Sequence, residues 1–315
     1  MKYSIITNCS SRKRDTGVIP LVPVLSPAVS IAEMAKTWID QVEQSQIRVA
    51  PLDLYQGRSF AECRVATRST SAEFYVVSAG LGLVHADDLV PNYSLTISEG
   101  TGSLQKWLFA QGADSTDWWF ALCQNIGTTS PISHMINAQG TNSMHLIALP
   151  SSYLEMVAPD LAQVQDDRLQ TLRIFTSVAG TKTLPSKLQS AVMPYDERLE
   201  GVVNHNGTRS DFPQRALKHF VTHLKGHEHS LNKAKEGVEA SMAASVKPTI
   251  PLREKVPNER IVELIQTHWD RHEGSASKLL RFLRDDAQIA CEQSRFSGIW
   301  RKVKEDQSAK GSFHV

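Results

Sequence analysis

The chain has 315 residues, a formal net charge of +1 and a hydrophobic fraction of 41%. Its length exceeds what one hydrophobic core usually spans, so we expect one main domain and a smaller second one. The sequence has no apolar run long enough to cross a bilayer and does not open on a signal peptide, which predicts a cytoplasmic protein with no membrane partner. The near-zero charge excludes a nucleic-acid polycation, so any basic surface must be local.

The four cysteines are scattered along the chain, at Cys9, Cys63, Cys123 and Cys291. No two of them have the spacing of a metal-binding or redox motif, so the pattern predicts reduced thiols. We therefore expect neither a metal site nor a cofactor.

The N-terminal region opens with a strand and a polar loop. Residues 3–7 predict a short strand, which runs into residues 8–14, a loop with two serines and three cations. Donors fixed at a strand end can hold a phosphate, a sugar or a polar base, and the alternative is a basic surface turn. Apolar residues at helical spacing then predict an amphipathic helix over residues 29–42.

A second strand is predicted over residues 47–52. It ends at a turn that contains Asp53, Tyr55, Gly57 and Arg58. A glycine allows a sharp change of chain direction at this turn, which would bring its neighbours to the same edge of the sheet as the first loop.

The stretch 74–93 is the centre of the sequence pattern. An apolar, β-branched run predicts a buried strand that stops at Ser78, and Gly80, Asp88 and Tyr93 follow. In an open α/β sheet the loop at the carboxyl end of a strand is where ligands bind, and glycines let backbone N–H groups approach a ligand closely. The alternative is a tight strand-to-helix turn with solvated aspartates.

Strands and helices continue to alternate in the second half. Residues 144–149 and 172–178 predict two more strands, and the paired tryptophans of a helix over 117–125 are interpreted as core packing. Residues 172–199 weakly repeat the pattern of the central stretch, and this repeat places Tyr195 and Asp196 after the last strand. Both halves are therefore expected to send a tyrosine to one edge of the sheet.

The alternation predicts an α/β fold, with a mostly parallel sheet covered by helices on both faces, over residues 1–228. Residues 229–256 are interpreted as a linker made of a polar helix and a proline-stiffened connector. Residues 257–306 predict three short helices with a tight turn before the last, which is helix-turn-helix patterning.

Positive charge is concentrated in one segment of this second domain. Between residues 275 and 304, seven basic residues stand against three acidic ones, a net charge of +4. This concentration predicts a surface that binds double-stranded DNA, and the alternative is a helical oligomerisation or capping module. The DNA-binding candidates of the whole chain are Arg12, Lys13, Lys278, Arg281, Gln293, Arg295 and Arg301.

Several short motifs resemble those of one protein family. They are Cys9-Ser-Ser-Arg-Lys13, Asp53-Leu-Tyr55-x-Gly57-Arg58-x-Phe60, Val77-Ser-Ala-Gly-Leu-Gly-Leu-Val84 and Pro91-x-Tyr93. Together they are similar to the YaaA-like and archaeosine-synthase-like group of domains, over residues 1–100 and more weakly to about residue 225. The resemblance implies a fold like that of uracil-DNA glycosylases, a parallel-sheet α/β/α sandwich. It also implies release of a nucleobase, because some bacterial members resemble an anti-phage DNA glycosylase acting on glucosylated hydroxymethylcytosine.

The sequence departs from the family pattern at one point. The family usually has Tyr-Asp after the glycine loop, whereas this chain has Tyr93-Ser94 and carries Tyr-Asp at Tyr195-Asp196. The identity of the key carboxylate is therefore left open.

Cleavage of an N-glycosidic bond passes through an oxocarbenium-like sugar and needs a carboxylate, a positioned water and donors to the departing base. The target nucleotide must also leave the base stack. The catalytic candidates are Asn8, Asp53 and Asp88. The substrate-binding candidates are Ser10, Tyr55, Gly57, Arg58, Ser78, Gly80, Tyr93, Tyr195 and Asp196, with Tyr55 or Tyr93 expected to stack on the base.

The leading hypothesis is a monomeric DNA glycosylase of anti-phage defence that leaves an abasic site, with modified phage DNA as the substrate implied by the resemblance. Two other classes stay open. One is a transglycosylase or amide-forming enzyme that acts on a deazaguanine nucleoside. The other is a non-catalytic DNA-binding regulator that senses a nucleotide, and an assay for abasic sites separates it from the glycosylase.

Overall fold

A computed structural model describes residues 1–98, 102–247 and 252–311, with side-chain surroundings given as far as residue 307. The chain divides into two compact units, Met1–Pro248 and Thr249–Val315. Each has its own cluster of buried apolar side chains.

The strands of the first unit are β1 (Lys2–Asn8), β2 (Arg48–Val49), β3 (Glu73–Ser78), β4 (Gly82–His85), β5 (Val90–Pro91), β6 (Ser143–Ala148) and β7 (Leu172–Phe175). Its helices are α1 (Ile31–Gln44), α2 (Pro51–Leu54), α3 (Arg58–Thr70), α4 (Gln105–Ala110), α5 (Ser115–Asn125), α6 (Pro131–Ala138), α7 (Ser151–Leu161), α8 (Val178–Thr183), α9 (Ser186–Gln189), α10 (Phe212–Thr222) and α11 (Leu231–Ala243). Short 3-10 segments cover Asp166–Thr171, Glu197–Gly201, Arg209–Asp211 and Gly226–Glu228.

The central sheet has the strand order β4-β3-β1-β6-β7. β1 runs parallel to both neighbours, so that Ile5 pairs with Phe74 and with Leu146, and β7 continues the parallel order. The four residues from Ser4 to Thr7 are all buried, as expected of a parallel strand covered on both faces. The predicted α/β class with a mostly parallel sheet is confirmed.

The topology places a reversal of strand order at one edge of the sheet, where open α/β sheets form a ligand crevice. β3 lies on one side of β1 and β6 lies on the other, so the chain order reverses at the β1–β6 pair. Ligands of open α/β sheets bind outside the carboxyl ends of the strands at such a reversal. We call this edge the carboxyl rim, defined by the strand ends Asn8, Ser78, Ala148 and Phe175.

Helices pack in two groups. α3 and α10 pack on each other and contact β1 and β6, and α1, α5, α7 and α8 contact one another in succession. A capping box of Ser30 and Glu33 starts α1, whose buried face includes Trp38. Trp118 and Trp119 of α5 are 0% and 2% exposed, which confirms their interpretation as core residues.

The predicted second strand, residues 47–52, does not join the central sheet. Only Arg48 and Val49 are extended, and they pair antiparallel with β5 in a two-stranded ribbon. Pro51 begins α2, because its fixed φ suits the first position of a helix and its missing N–H cannot serve a strand ladder. Ile47, at the start of the run, is 54% exposed, whereas Pro51 is buried.

The glycine loop after β3 forms a hairpin and not a connection to a helix. β4 turns back antiparallel to β3, with Ser78 opposite Gly82 and Tyr75 opposite His85. Gly82 has a φ of +72°, which a residue with a side chain adopts only with strain. Ala86, Asp87 and Asp88, which directly follow His85, are therefore carried to the edge of the sheet opposite the carboxyl rim.

The predicted linker contributes a helix to the first unit. Leu231, Ala234, Val238 and Met242 of α11 are buried in the core of that unit. The chain is divided between the two compact units after residue 248, inside the proline-containing connector. The first unit therefore extends about 20 residues past the boundary expected at residue 228.

The second unit is built from three helices, α12 (Asn258–Thr267), α13 (Ala276–Arg281) and α14 (Gln293–Gly311), with a 3-10 segment at Asp270–His272 and a π segment at Phe282–Asp286. Its core includes Ile261, Leu279, Phe296 and Val303. The helices occur where the sequence predicts them. Residues 287–292 form the connection that precedes the last helix.

All four cysteines are buried and unpaired. Burial raises the pKa of the Cys63 thiol to about 12 and raises that of Cys291. Buried neutral thiols behave as small apolar side chains.

Three buried histidines stay neutral in the folded protein. His145 on β6 shares a hydrogen bond of 2.7 Å with Ser4, and burial lowers its pKa to about 4. His219 on α10 shares one of 2.8 Å with Tyr195 and packs edge-on to His205. Burial, and then the neighbouring imidazoles, lower the pKa values of His219 and His205 to about 4.

These histidines predict a loss of stability in mild acid. An unfolded histidine takes a proton near pH 6.5, whereas His145 stays neutral until about 4, so the unfolded chain binds more protons between those values. The free energy of unfolding should fall as the pH decreases through this window, by on the order of 3 kcal/mol for each fully shifted site. Urea titrations at a series of pH values from neutral to about pH 4 measure this decrease in the free energy of unfolding.

His145→Gln and His219→Gln should each flatten this pH dependence whatever they cost in stability at neutral pH. The exposed His134 supplies the matched control, and His134→Gln should leave the slope unchanged. Equal slopes in all four proteins would contradict the assignment.

Candidate functional site

Asn8 ends β1 at the crevice of the carboxyl rim, and its side-chain amide is oriented by two contacts. Its Nδ2 donates to the carbonyl of Cys9 at 2.8 Å, and its Oδ1 accepts from Gln214 Nε2 at 2.9 Å. Gln214 is fully buried and also donates to the carbonyl of Ala148, at the end of β6, at 3.0 Å. One glutamine from α10 thus joins the ends of the two strands at the reversal.

Asn8 keeps unused hydrogen-bonding capacity. A side-chain amide has two donor hydrogens and two acceptor lone pairs, and these contacts use one of each. The side chain is half-buried, so a water molecule or a substrate can reach it. Gln214 Oε1 has no hydrogen-bond partner among the described residues, which leaves a second free acceptor beside it.

The hairpin turn after β3 is held from both sides by buried tryptophans. Trp38 donates to the carbonyl of Gly80 at 2.6 Å, and Trp118 donates to that of Ala79 at 2.7 Å. The hydroxyl of Ser78 accepts from the N–H groups of Gly80 and Leu81 at 3.2 and 3.0 Å. Because the turn is buried, each of these polar groups needs such a partner.

A chain of hydroxyl groups leads away from Ser78. Tyr93 lies 2.6 Å from Ser78 Oγ and 2.7 Å from the hydroxyl of Tyr55. Ser78 already accepts two N–H groups, so it donates to Tyr93, and Tyr93 donates to Tyr55. Both tyrosines are 1% exposed, and burial raises their pKa values well above the usual range. Neither ring presents a free face on which a base could stack.

The loop after β1 is joined to the segment after α2. Lys13 forms an antiparallel bridge with Tyr55, and the N–H of Gln56 donates to the carbonyl of Arg12 at 2.9 Å. Gly57 has a φ of +104°, and a Cβ there would stand 3.6 Å from Ser10 Oγ. The prediction that this turn meets the first loop is confirmed, and glycine is required by its backbone conformation.

Lys13 reaches across the two tyrosines. Its Nζ lies 4.2 Å from the ring centroid of Tyr93 and 5.7 Å from that of Tyr55. Burial lowers the pKa of Lys13, and the nearby thiol of Cys9 partly counteracts the effect. Cys9 in turn shares a contact of 3.1 Å with the hydroxyl of Tyr153 on α7.

Neither of the two predicted carboxylates hydrogen-bonds to the side chain of Asn8. Asp53 is exposed on α2, and its carboxylate makes no hydrogen bond or ion pair with another described residue. Asp88 is exposed at the opposite edge of the sheet, where it accepts from the N–H of His85 at 2.7 Å. The expectation that Asp88 shares an edge with Asn8 is wrong, because β4 reverses the chain. A catalytic role for either residue stays a prediction.

Three other predicted site residues are engaged in local contacts. Arg58 donates to the carbonyl of Asn206 and lies 3.4 Å from Glu62. Asp196 accepts from Arg198 at 2.6 to 3.0 Å, which lowers the pKa of its carboxyl. Tyr195 is buried, and its hydroxyl contacts His219. Val192, just before Tyr195, forms a parallel bridge with Ile174 of β7. The expected repeat of the central stretch therefore does bring a tyrosine past the end of a strand.

Two contributors were not predicted from the sequence. Gln214 orients Asn8 from 206 residues away. Arg215 is fully buried and pairs with Asp211 and Glu200, both at 2.6 Å, which fixes the start of α10. The helical pattern of residues 212–224 was the available signal, but it does not distinguish the polar residues that face the core.

The predicted DNA-binding residues of the second unit fall into two groups, those held by contacts within the unit and those without an ion pair among the described residues. Lys278 pairs with Glu273 at 2.6 Å, and Arg295 donates to Asn258 and to the carbonyl of Val256. Arg295 is thus turned towards α12 and not outward as expected. The exposed candidates without an ion pair among the described residues are Arg281, Gln293 and Arg301.

A cleft of about 510 Å³ lies between α13 and α14 of the second unit. Arg281, Arg284, Gln293 and Ser297 contribute to its lining. Arg253 pairs with Asp285 at 3.0 Å, and Arg284 donates to the carbonyl of Cys291 at 2.8 and 3.0 Å. Arg281 is therefore the lining cation that has no such partner among the described residues. The cleft therefore offers guanidinium and amide donors at the start of the last helix.

The chain is an α/β protein with a polar carboxyl rim and a separate three-helix unit. No known family model matches its sequence, and no curated protein matches it. Across the described residues, no helix combines the length and the apolar character needed to cross a bilayer. Within the same residues, no group of three His, Cys, Asp or Glu side chains is arranged to hold a metal ion.

The hydroxyl chain predicts a specific cost for Tyr93→Phe. The substitution removes a hydroxyl that serves both Ser78 and Tyr55, so two buried groups lose a partner and the free energy of unfolding should fall by about 2–3 kcal/mol. Urea unfolding measures the change. Tyr75→Phe is the control, because that hydroxyl only contacts Glu73 at the surface, and it should change stability by less than about 0.5 kcal/mol. Equal costs would contradict the buried chain.

Proposed function

We propose that the protein is a DNA glycosylase, in which the first unit cleaves the bond between a base and its sugar and the second unit binds the duplex. The proposal includes a uracil-DNA-glycosylase-like arrangement of the first unit. The observation that carries it is the amide of Asn8, fixed at the β1–β6 crevice by Gln214, with Ser10 and Lys13 on the same loop. The family resemblance of the motifs around these residues supports the same conclusion.

Asn8 fits the task of holding a water molecule or the reacting sugar. Its orientation is set by a buried partner, so its free donor and acceptor are preorganised and need not rearrange during the reaction. A flipped nucleotide also needs donors for its phosphates. Arg12 and Arg14 are exposed on the loop that carries Lys13 and make no ion pair among the described residues, which suits them to this contact.

The second unit supports a duplex as the polymer that is bound. Helix-turn-helix domains place the start of their last helix against base edges in the major groove. Gln293 stands at the start of α14, and Arg281 lines the adjacent cleft. An arginine contacts phosphates or guanine, and a glutamine can read adenine.

The decisive experiment incubates the protein with duplexes that carry cytosine, hydroxymethylcytosine or glucosylated hydroxymethylcytosine, and then cleaves the abasic sites. Strand breaks and a free base are expected with one of these substrates. A protein that binds the duplexes but releases no base from any of them, or from a panel of viral genomic DNAs, would fit a non-catalytic regulator and overturn the proposal.

Substitutions on the rim test which residues the reaction needs. Asn8→Ala and Gln214→Ala should each lower the single-turnover rate of base release by about 100-fold, because both remove the fixed amide. Asn125→Ala, which truncates an exposed amide at the end of α5, is the matched control. Asp88→Asn in the same assay tests whether the reaction takes place at the carboxyl rim or at the opposite edge of the sheet. Full activity of this variant is expected, because Asp88 lies at the opposite edge.

The second unit predicts a change in salt dependence. Arg281→Ala in the full chain should weaken binding to any duplex and reduce the slope of log K against log salt by about 1, since one phosphate contact is lost. Fluorescence anisotropy over a salt series measures the slope. Arg68→Ala, which removes an exposed arginine from α3, should leave it unchanged. Identical slopes for both variants would remove Arg281 from the interface.

A further inference from the structure

Lys13 is held in place more firmly than a surface lysine. Its backbone forms a bridge with Tyr55, and the neighbouring N–H of Arg14 donates to the carbonyl of Leu54 at 2.8 Å. The side chain is half-buried and lies over Tyr93. Because the side chain is already held in place, it loses less conformational entropy when its amine is positioned against a reactant.

The amine of Lys13 is open to a reactant. Among the residues that the structure describes, no carboxylate pairs with it and no side chain accepts a hydrogen bond from it. Its Nζ is not one of the buried polar atoms without a hydrogen-bond partner. The atom therefore contacts solvent. The lowered pKa makes the neutral, nucleophilic form more available than in an ordinary lysine.

The carboxylates near the start of α10 are all engaged in ion pairs, which leaves a role at the rim that this amine can fill. A glycosylase that activates water relies on a carboxylate to stabilise the sugar cation. Near the start of α10, Asp211 and Glu200 pair with Arg215, and Glu62 pairs with Lys218 at 2.7 Å. None of these three hydrogen-bonds to Asn8 or Lys13.

We propose that Lys13 is the nucleophile that attacks C1′ of the sugar, so that the enzyme forms a covalent imine with the DNA. The inference rests on the proposed function and assigns its mechanism. The Nζ lone pair forms the bond to C1′, and the bond from C1′ to the base breaks, with its electron pair leaving on the base, which takes a proton from water. Nζ then loses a proton, and the C1′–O4′ bond opens with protonation of O4′.

The product of these steps is a protonated imine between C1′ and Lys13. Removal of a proton from C2′ then expels the 3′ phosphate and breaks the strand. Water hydrolyses the imine and frees the lysine, so no oxidant or reductant is consumed. The hydroxyl chain from Ser78 to Tyr55 supports this chemistry by fixing the rings beneath the amine.

Borohydride trapping tests the inference directly, because hydride reduces the imine to a stable amine. The full-length protein is incubated with borohydride and two duplexes, one with the base-bearing substrate and one with a preformed abasic site. An adduct on both duplexes, mapped to Lys13 by peptide mass spectrometry, is expected. Lys13→Arg keeps the positive charge but should reduce the trapped fraction to background, while Lys233→Arg, on the exposed face of α11, should not.

The outcomes separate this mechanism from the function on which it rests. Base release that leaves an intact abasic site, with no adduct at Lys13, would overturn the inference and keep the glycosylase. An adduct at Lys13 on the preformed abasic site, without base release from any substrate, would support the nucleophile and overturn the glycosylase. Adducts spread equally over other lysines would overturn the inference, and circular dichroism of Lys13→Arg excludes loss of folding as the cause.

Discussion

The buried turn between β3 and β4 constrains the whole first unit, because its polar backbone has no access to water. Two tryptophans from α1 and α5 satisfy two of its carbonyls, and Ser78 satisfies two of its N–H groups. An unpaired buried group of this kind costs as much as a lost hydrogen bond, so these partners fix the helices relative to the sheet. The same serine begins the hydroxyl chain beneath Lys13.

The α/β class was predictable because its strands and helices differ in the period of their apolar residues. β1, β3, β6 and β7 all begin within three residues of the predicted segments. The errors arose where a local pattern has two physical solutions. An apolar run that includes Pro51 suits a strand or a helix start, and a glycine-rich turn leads equally well to a hairpin or a helix. Long-range packing selects between them.

The candidate site was predictable only in part. The first loop does meet the turn at residues 53–58, since Gly57 lies beside Ser10 and Tyr55 bridges Lys13. Gln214 gave no signal, since a glutamine in an amphipathic helix is usually solvated. Arg295 shows the opposite error. Its positive charge suggested that it faces solvent, but it donates to Asn258 and to the carbonyl of Val256, at and just before the start of α12.

The burial of all four native thiols has a practical consequence. A cysteine introduced at an exposed position on each unit would react with maleimide dyes ahead of Cys9, Cys63, Cys123 and Cys291. The wild-type background therefore needs no prior removal of cysteine. Energy transfer between two such labels would report the separation of the units in solution, with and without a bound duplex.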